Sequence, residues 1–107
     1  MAKYVEGKDC SEYAEDWIAQ NNRGTLITFH GVRNGKRGSV FRTPFFGRDE
    51  ACFYHTVVQT DDLKVIDVTN SSKEVWGSIR EYKEFLKKYN GDGTDFAVYY
   101  GYKPIGI

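Results

Sequence analysis

The sequence predicts an α+β domain: a helix, several antiparallel strands, a second helix and a closing strand. Three observations lead there. Apolar residues recur at helical spacing in two separate stretches, one beginning at Cys10 and one ending near Tyr89. Between them lie runs rich in β-branched and aromatic residues, punctuated by Gly, Asn and Asp. The 107 residues are 40% apolar, enough for one packed core and too few for two.

Residues 1–8 read as a loose polar lead-in, as in the terminal piece of a longer protein. No apolar stretch follows Met1, so no signal peptide is expected. Asp9 and Glu12 fit the N-cap and N3 places of a capping box, which puts Cys10 at the first helical position. Cys10, Tyr13, Ala14, Trp17 and Ile18 then form one apolar stripe, and Asn21-Asn22-Arg23-Gly24 supplies a C-cap. Cys10 has two readings: a small core residue on that stripe, or a reactive thiol. A helix start favours the second chemistry, because unpaired N–H groups and the positive dipole end stabilise thiolate.

Residues 25–32 read as a strand, with Leu26, Thr28 and His30 on one face and Ile27 and Phe29 on the other. A turn over Asn34-Gly35-Lys36-Arg37-Gly38 is expected to return the chain along residues 39–43, and residues 44–51 to form a loop or edge. Arg33, Lys36, Arg37 and Arg42 cluster around this turn. They read either as solvated charges or as a patch for a phosphate or an acidic partner. No carboxylate follows His30 at hairpin distance, so it reads as a surface or structural histidine.

The most informative stretch is residues 52–70. Residues 53–59 and 63–68 form the arms of a hairpin, with His55 on the first and Asp67 on the second. A three- or five-residue loop centred on Asp61 pairs His55 directly with Asp67 and Val57 with Val65. A two- or four-residue loop would pair His55 with Val68 and turn Asp67 away. The first register is expected, because it makes the better apolar pair. A carboxylate there accepts from one imidazole nitrogen and leaves the other to move protons.

Ser71-Ser72-Lys73-Glu74 opens a second helical run whose stripe is Val75, Ile79, Tyr82, Leu86 and Tyr89, read as core packing. Gly77 offers a break, after which Ser78 and Glu81 would cap a shorter helix. Asn90-Gly91-Asp92-Gly93 stops it, and residues 95–102 form the last strand, ended by Pro104.

Composition narrows the function classes. Fifteen Lys and Arg balance fifteen Asp and Glu, so no global field draws the domain to nucleic acid or anionic lipid. No run approaches the roughly 20 apolar residues of a membrane span. The cysteines, Cys10 and Cys52, read as free thiols. Neither they nor the two histidines show metal-ligand spacing, and no cofactor is called for.

A cysteine at the first helix start, followed by histidine and aspartate on successive strands, resembles the papain-like fold. More narrowly, the chain resembles the papain-fold toxin domains at the C-termini of bacterial polymorphic and contact-dependent toxins. The matching residues are Cys10 to Ala14, then His55, Val58, Val65 and Asp67, with Trp76 and Phe96-Ala97-Val98 following loosely. No glutamine precedes Cys10 to complete a papain-type oxyanion hole, so backbone N–H groups at the helix start would serve. Val68-Thr69-Asn70 stands where the family often has asparagine and glycine after its aspartate.

The resemblance implies Cys10 as nucleophile, His55 as base and then acid, and Asp67 as the group that orients the ring. It implies attack on an amide or ester bond of a protein substrate, action in the cytoplasm after delivery, and a cognate immunity protein as partner. Two alternatives remain open at this point. One is an RNA-cleaving toxin in which Arg33, Lys36, Arg37 and Arg42 hold a tRNA backbone. The other is a non-enzymatic binding or immunity-type domain.

Overall fold

The computed structural model describes residues 2–102. Ten elements follow in order: α1 (Cys10–Asn21), β1 (Thr25–Arg33), β2 (Lys36–Ser39), β3 (Phe41–Phe45), β4 (Arg48–Cys52), β5 (Tyr54–Gln59), β6 (Val65–Ile66), β7 (Val75–Trp76), α2 (Ile79–Asn90) and β8 (Asp95–Tyr100). This is an α+β domain: an N-terminal helix, an antiparallel sheet, and a second helix before the last strand.

β1 is the centre of the main sheet. β8 pairs along one edge, while β5 and β2 follow one another along the other, against residues 25–30 and 31–33 respectively. β6 and β7 extend the sheet beyond β5. Neighbouring residues on each strand face opposite sides, so the sheet is covered by a helix on each. Ile27, Phe29, Val57 and Val65 pack with Tyr82 and Leu86 of α2. Val58, Ile66 and Val68 pack with Tyr13 and Ala14 of α1, with Leu26, Trp17 and Ile18 closing over them. His30 is buried rather than on the surface, its ring 4.8 Å from that of Tyr99.

The first turn is tighter than expected. Asn34 and Gly35 both take positive φ (54° and 75°), a two-residue turn that sends the chain back at Lys36 instead of Ser39. Gly31, where the β1–β2 register shifts, has no room for a side chain: a Cβ there would lie 2.3 Å from the Ser39 carbonyl oxygen. Residues 41–52 are a second hairpin, β3 on β4, forming a two-stranded sheet of its own, so residues 41–43 do not return along β1, and of the loop or edge reading for residues 44–51 the edge holds. Phe46 and Gly47, again at positive φ, make its two-residue turn. It places Phe41 in the core against Phe96, with centroids 5.0 Å apart.

The β5–β6 register also differs from expectation. Val58 pairs Ile66 and Gln59 pairs Val65, so the loop is centred on Asp62 rather than Asp61. Thr60 and Lys64 close it, and Leu63 absorbs the reversal at φ 66°. Shifting by two residues preserves parity, which keeps His55 and Asp67 on one face. They meet diagonally, however, not as direct partners.

The second helix starts late. Ser78 is its N-cap, accepting from the Glu81 N–H at 3.1 Å, and Gly91 ends it in the left-handed conformation. Val75 therefore leaves the helical stripe and belongs, half-exposed, to the short strand β7. Asp67 donates its N–H to the Glu74 carbonyl at 2.8 Å, which ties this connection to the sheet. The expected stop at Pro104 lies outside the described residues.

Candidate active site

Cys10 sits at the first position of α1, and the start of that helix is held from two sides. The Asp9 N–H donates to Glu12 Oε1 at 3.0 Å, closing a capping box. The Asp9 carboxylate accepts from Ser11 Oγ at 2.9 Å and from the Tyr54 hydroxyl at 2.8 Å. Burial pushes the Asp9 carboxyl up, yet these bonds outweigh it and hold the pKa below the usual aspartate value. Tyr54 is the residue before His55, so this bond clamps the helix start to β5 beside the histidine.

A gap in the sheet edge lets the two helices' faces communicate. β6 stops pairing at Ile66, so the Thr56 N–H on β5 has no ladder partner and donates to Cys10 Sγ at 3.4 Å instead. The thiol thereby enters from the α1 side, while His55 lies on the α2 side with Val57. Cys10 and His55 line one cavity of about 290 Å³, together with Asp9, Thr43, Phe45, Cys52 and Tyr54. Exposed Glu50 and Ala51 form part of its wall.

His55 is 1% exposed and Asp67 is fully buried. His55 Nε2 lies 3.0 Å from Asp67 Oδ1, and because a carboxylate only accepts, Nε2 carries the hydrogen. That leaves Nδ1 for the Cys10 sulfur. Burial favours the neutral ring, but the Asp67 charge and hydrogen bond, with a further contribution from Cys10, raise the His55 pKa from 6.5 to about 10. The imidazole is thus held protonated at neutral pH.

Asp67 receives more donors than the sequence suggested. Thr69 Oγ1 donates to Oδ1 at 3.2 Å, and the Tyr82 hydroxyl to Oδ2 at 2.6 Å. Tyr82, expected as core packing only, does pack: its ring lies 5.2 Å from Phe29 and 5.6 Å from Trp76. Its hydroxyl has a second role that the helical stripe did not reveal. Tyr54 and Thr69 were also missed. Lying within two residues of His55 or Asp67 was the signal available, and it applies equally to Phe53, which is exposed.

The two cysteines are free thiols. Cys52 lines the same cavity, but burial foremost, and then the neighbouring Cys10, push its thiol pKa far up. The basic cluster does not reach the cavity wall. Arg33 bonds Asp92 and Thr94, Arg37 donates to the Tyr99 hydroxyl, Arg42 pairs with Asp49, and Lys36 is exposed at the end of the first turn. Among the described residues no group of three or more His, Cys, Asp or Glu could hold a metal ion, and no helix is long and apolar enough to cross a membrane. Compared with known proteins, the chain matches no protein-family model, no curated protein and no solved structure.

Proposed function

We propose that this domain is a cysteine-dependent hydrolase or acyltransferase of the papain-like toxin kind, acting on an amide or ester bond of a protein substrate. One observation carries the reading: a buried His55, held by the Asp67 carboxylate at 3.0 Å, lines a common cavity with the Cys10 thiol. In the reaction, Cys10 Sγ, its proton having already passed to His55 Nδ1, bonds to the substrate carbonyl carbon. The oxyanion is met by backbone N–H groups at the start of α1. Collapse breaks the bond to the leaving amine or alcohol, which takes the proton from His55. Water, giving a proton to the same nitrogen, or an acceptor nucleophile then cleaves the thioester and restores the thiol.

A cavity of about 290 Å³ is at the small end of ligand sites and suits one side chain or a short acyl group. Asp9 and Glu50 contribute carboxylates to its wall and Lys8 an ammonium paired with Asp16, whereas Arg33, Lys36, Arg37 and Arg42 do not line it and three of them are engaged in other bonds. These placements favour an amide or ester over a phosphodiester. The same reading has the domain acting in the cytoplasm after delivery by a longer protein, with an immunity protein as its inhibitor.

The test is expression of the domain in bacteria without an inhibitor. Cys10→Ser and His55→Gln should each abolish growth inhibition with the near-UV circular dichroism unchanged. Iodoacetamide should alkylate Cys10 well before Cys52. Folded variants that stay fully toxic, or labelling that begins at Cys52, would end the proposal. Loss of toxicity on neutralising the basic cluster, with cut tRNA in the cells, would replace it with the nuclease reading. Tight binding to a partner, indifferent to Cys10→Ser, would replace it with the binding-domain reading.

A further inference from the structure

Asp67 follows directly on a strand of only two paired residues, and bonds to the Glu74 carbonyl and the Asn70 N–H fix its backbone without fixing the rotation of its carboxylate. Three side chains orient the carboxylate. His55 Nε2 and Thr69 Oγ1 share Oδ1, while the Tyr82 hydroxyl alone is bonded to Oδ2, at 2.6 Å, the shortest of the three contacts. Each comes from a different place: β5, the segment after β6, and α2. Without the phenol, Oδ2 would be a buried charged oxygen with no donor among the side-chain bonds described, and the carboxylate would be free to turn about its Cβ–Cγ bond. Burial, and then the Asp67 charge, hold the Tyr82 phenol well above the usual tyrosine range, so it remains a donor wherever the domain is folded.

We propose that Tyr82 is a positioning residue of this site, its hydroxyl pinning Asp67 Oδ2 so that Oδ1 stays aligned with His55 Nε2. The proposal rests on the Cys10, His55 and Asp67 reading above. Tyr82 touches neither the thiol nor the substrate; it acts through the carboxylate. α2 thereby controls the chemistry as well as covering the sheet.

Tyr82→Phe tests this, because it removes one oxygen and keeps the ring that packs on Phe29 and Trp76. The first readout is the low-field proton resonance of His55 Nε2–H, assigned by its absence in His55→Gln. In Tyr82→Phe it should exchange with water about tenfold faster or more. The second is the rate of Cys10 alkylation by iodoacetamide in a double-mutant cycle. Tyr82→Phe should slow it about tenfold in the otherwise unaltered protein and less than about twofold in Asp67→Asn, since the group it acts through is then gone. A purely structural role would lower stability and leave both readouts in place.

An unchanged exchange rate of that proton in folded Tyr82→Phe, or equal slowing of alkylation in both backgrounds, would overturn the proposal. If Cys10 of the unaltered protein is alkylated no faster than Cys52, the proposed function falls and the resonance alone decides the role of Tyr82. Should Tyr82→Phe fail to fold, incorporation of fluorotyrosine strengthens the phenol as a donor. The His55 resonance must then shift, and one that stays still counts against the role.

Discussion

At the scale of single residues, the site is a problem of buried charge. His55 and Asp67 are stable together inside the protein only because each ion faces the other and Asp67 has further donors. The folded His55 pKa of about 10 exceeds the ordinary 6.5, so the folded chain keeps a proton that the unfolded chain gives up in between. That contribution to stability is complete below pH 6.5 and is lost as the pH rises through 10. Urea denaturation should show a fall on the order of a few kcal/mol across this window, and His55→Gln should flatten it. Cys10 carries a smaller structural duty. Cys10→Ala strands the Thr56 N–H and should cost about 1–3 kcal/mol, whereas Cys10→Ser, which retains an acceptor, should lose less while being equally inactive.

At the scale of elements, the site depends on where pairing stops. Had β6 run on beside β5, its backbone would have taken the Thr56 N–H and closed the gap through which Cys10 approaches. α1 reaches that gap because Tyr54 binds Asp9 at its N-cap, and removing this one oxygen should loosen the approach. Tyr54→Phe is expected to lower stability by about 1 kcal/mol and to slow Cys10 alkylation several-fold, measured by denaturation and by timed labelling. α2 depends on its own cap. Ser78→Ala should cost about 1 kcal/mol without changing the alkylation rate, because the cap lies a full turn from Tyr82.

At the scale of the whole molecule, a helix on each face of one sheet brings chemistry from both sides to a single edge. Charge is balanced overall, and Arg33, Lys36, Arg37 and Arg42 do not line the cavity, Arg33 and Arg42 being engaged by surface carboxylates. Exchanging Arg33, Lys36, Arg37 and Arg42 for Gln should therefore leave Cys10 alkylation within about twofold. Its stability cost should be small, since exposed ion pairs contribute roughly 0–1 kcal/mol each. Labelling kinetics and thermal melting of the fourfold variant give both numbers.

What the sequence determined by itself was local: the capping box that starts α1 at Cys10, the apolar stripe that follows it, the alternation of β1 and the shared face of His55 and Asp67. Such features rest on spacings of one to four residues, where backbone geometry leaves few choices. Even the late start of α2 was legible, as an alternative, in Gly77 and Ser78. The tertiary structure decided the rest. The β5–β6 register moved by two residues because the loop reverses at Leu63, and the length of β6 was set by the turn back towards β7. The direction of the Tyr82 hydroxyl followed from how α2 lies on the sheet, which no periodicity encodes. Whether the Cys10 sulfur meets an N–H of β5 depended on a strand ending early more than forty residues away in the chain, a distance over which only packing can decide.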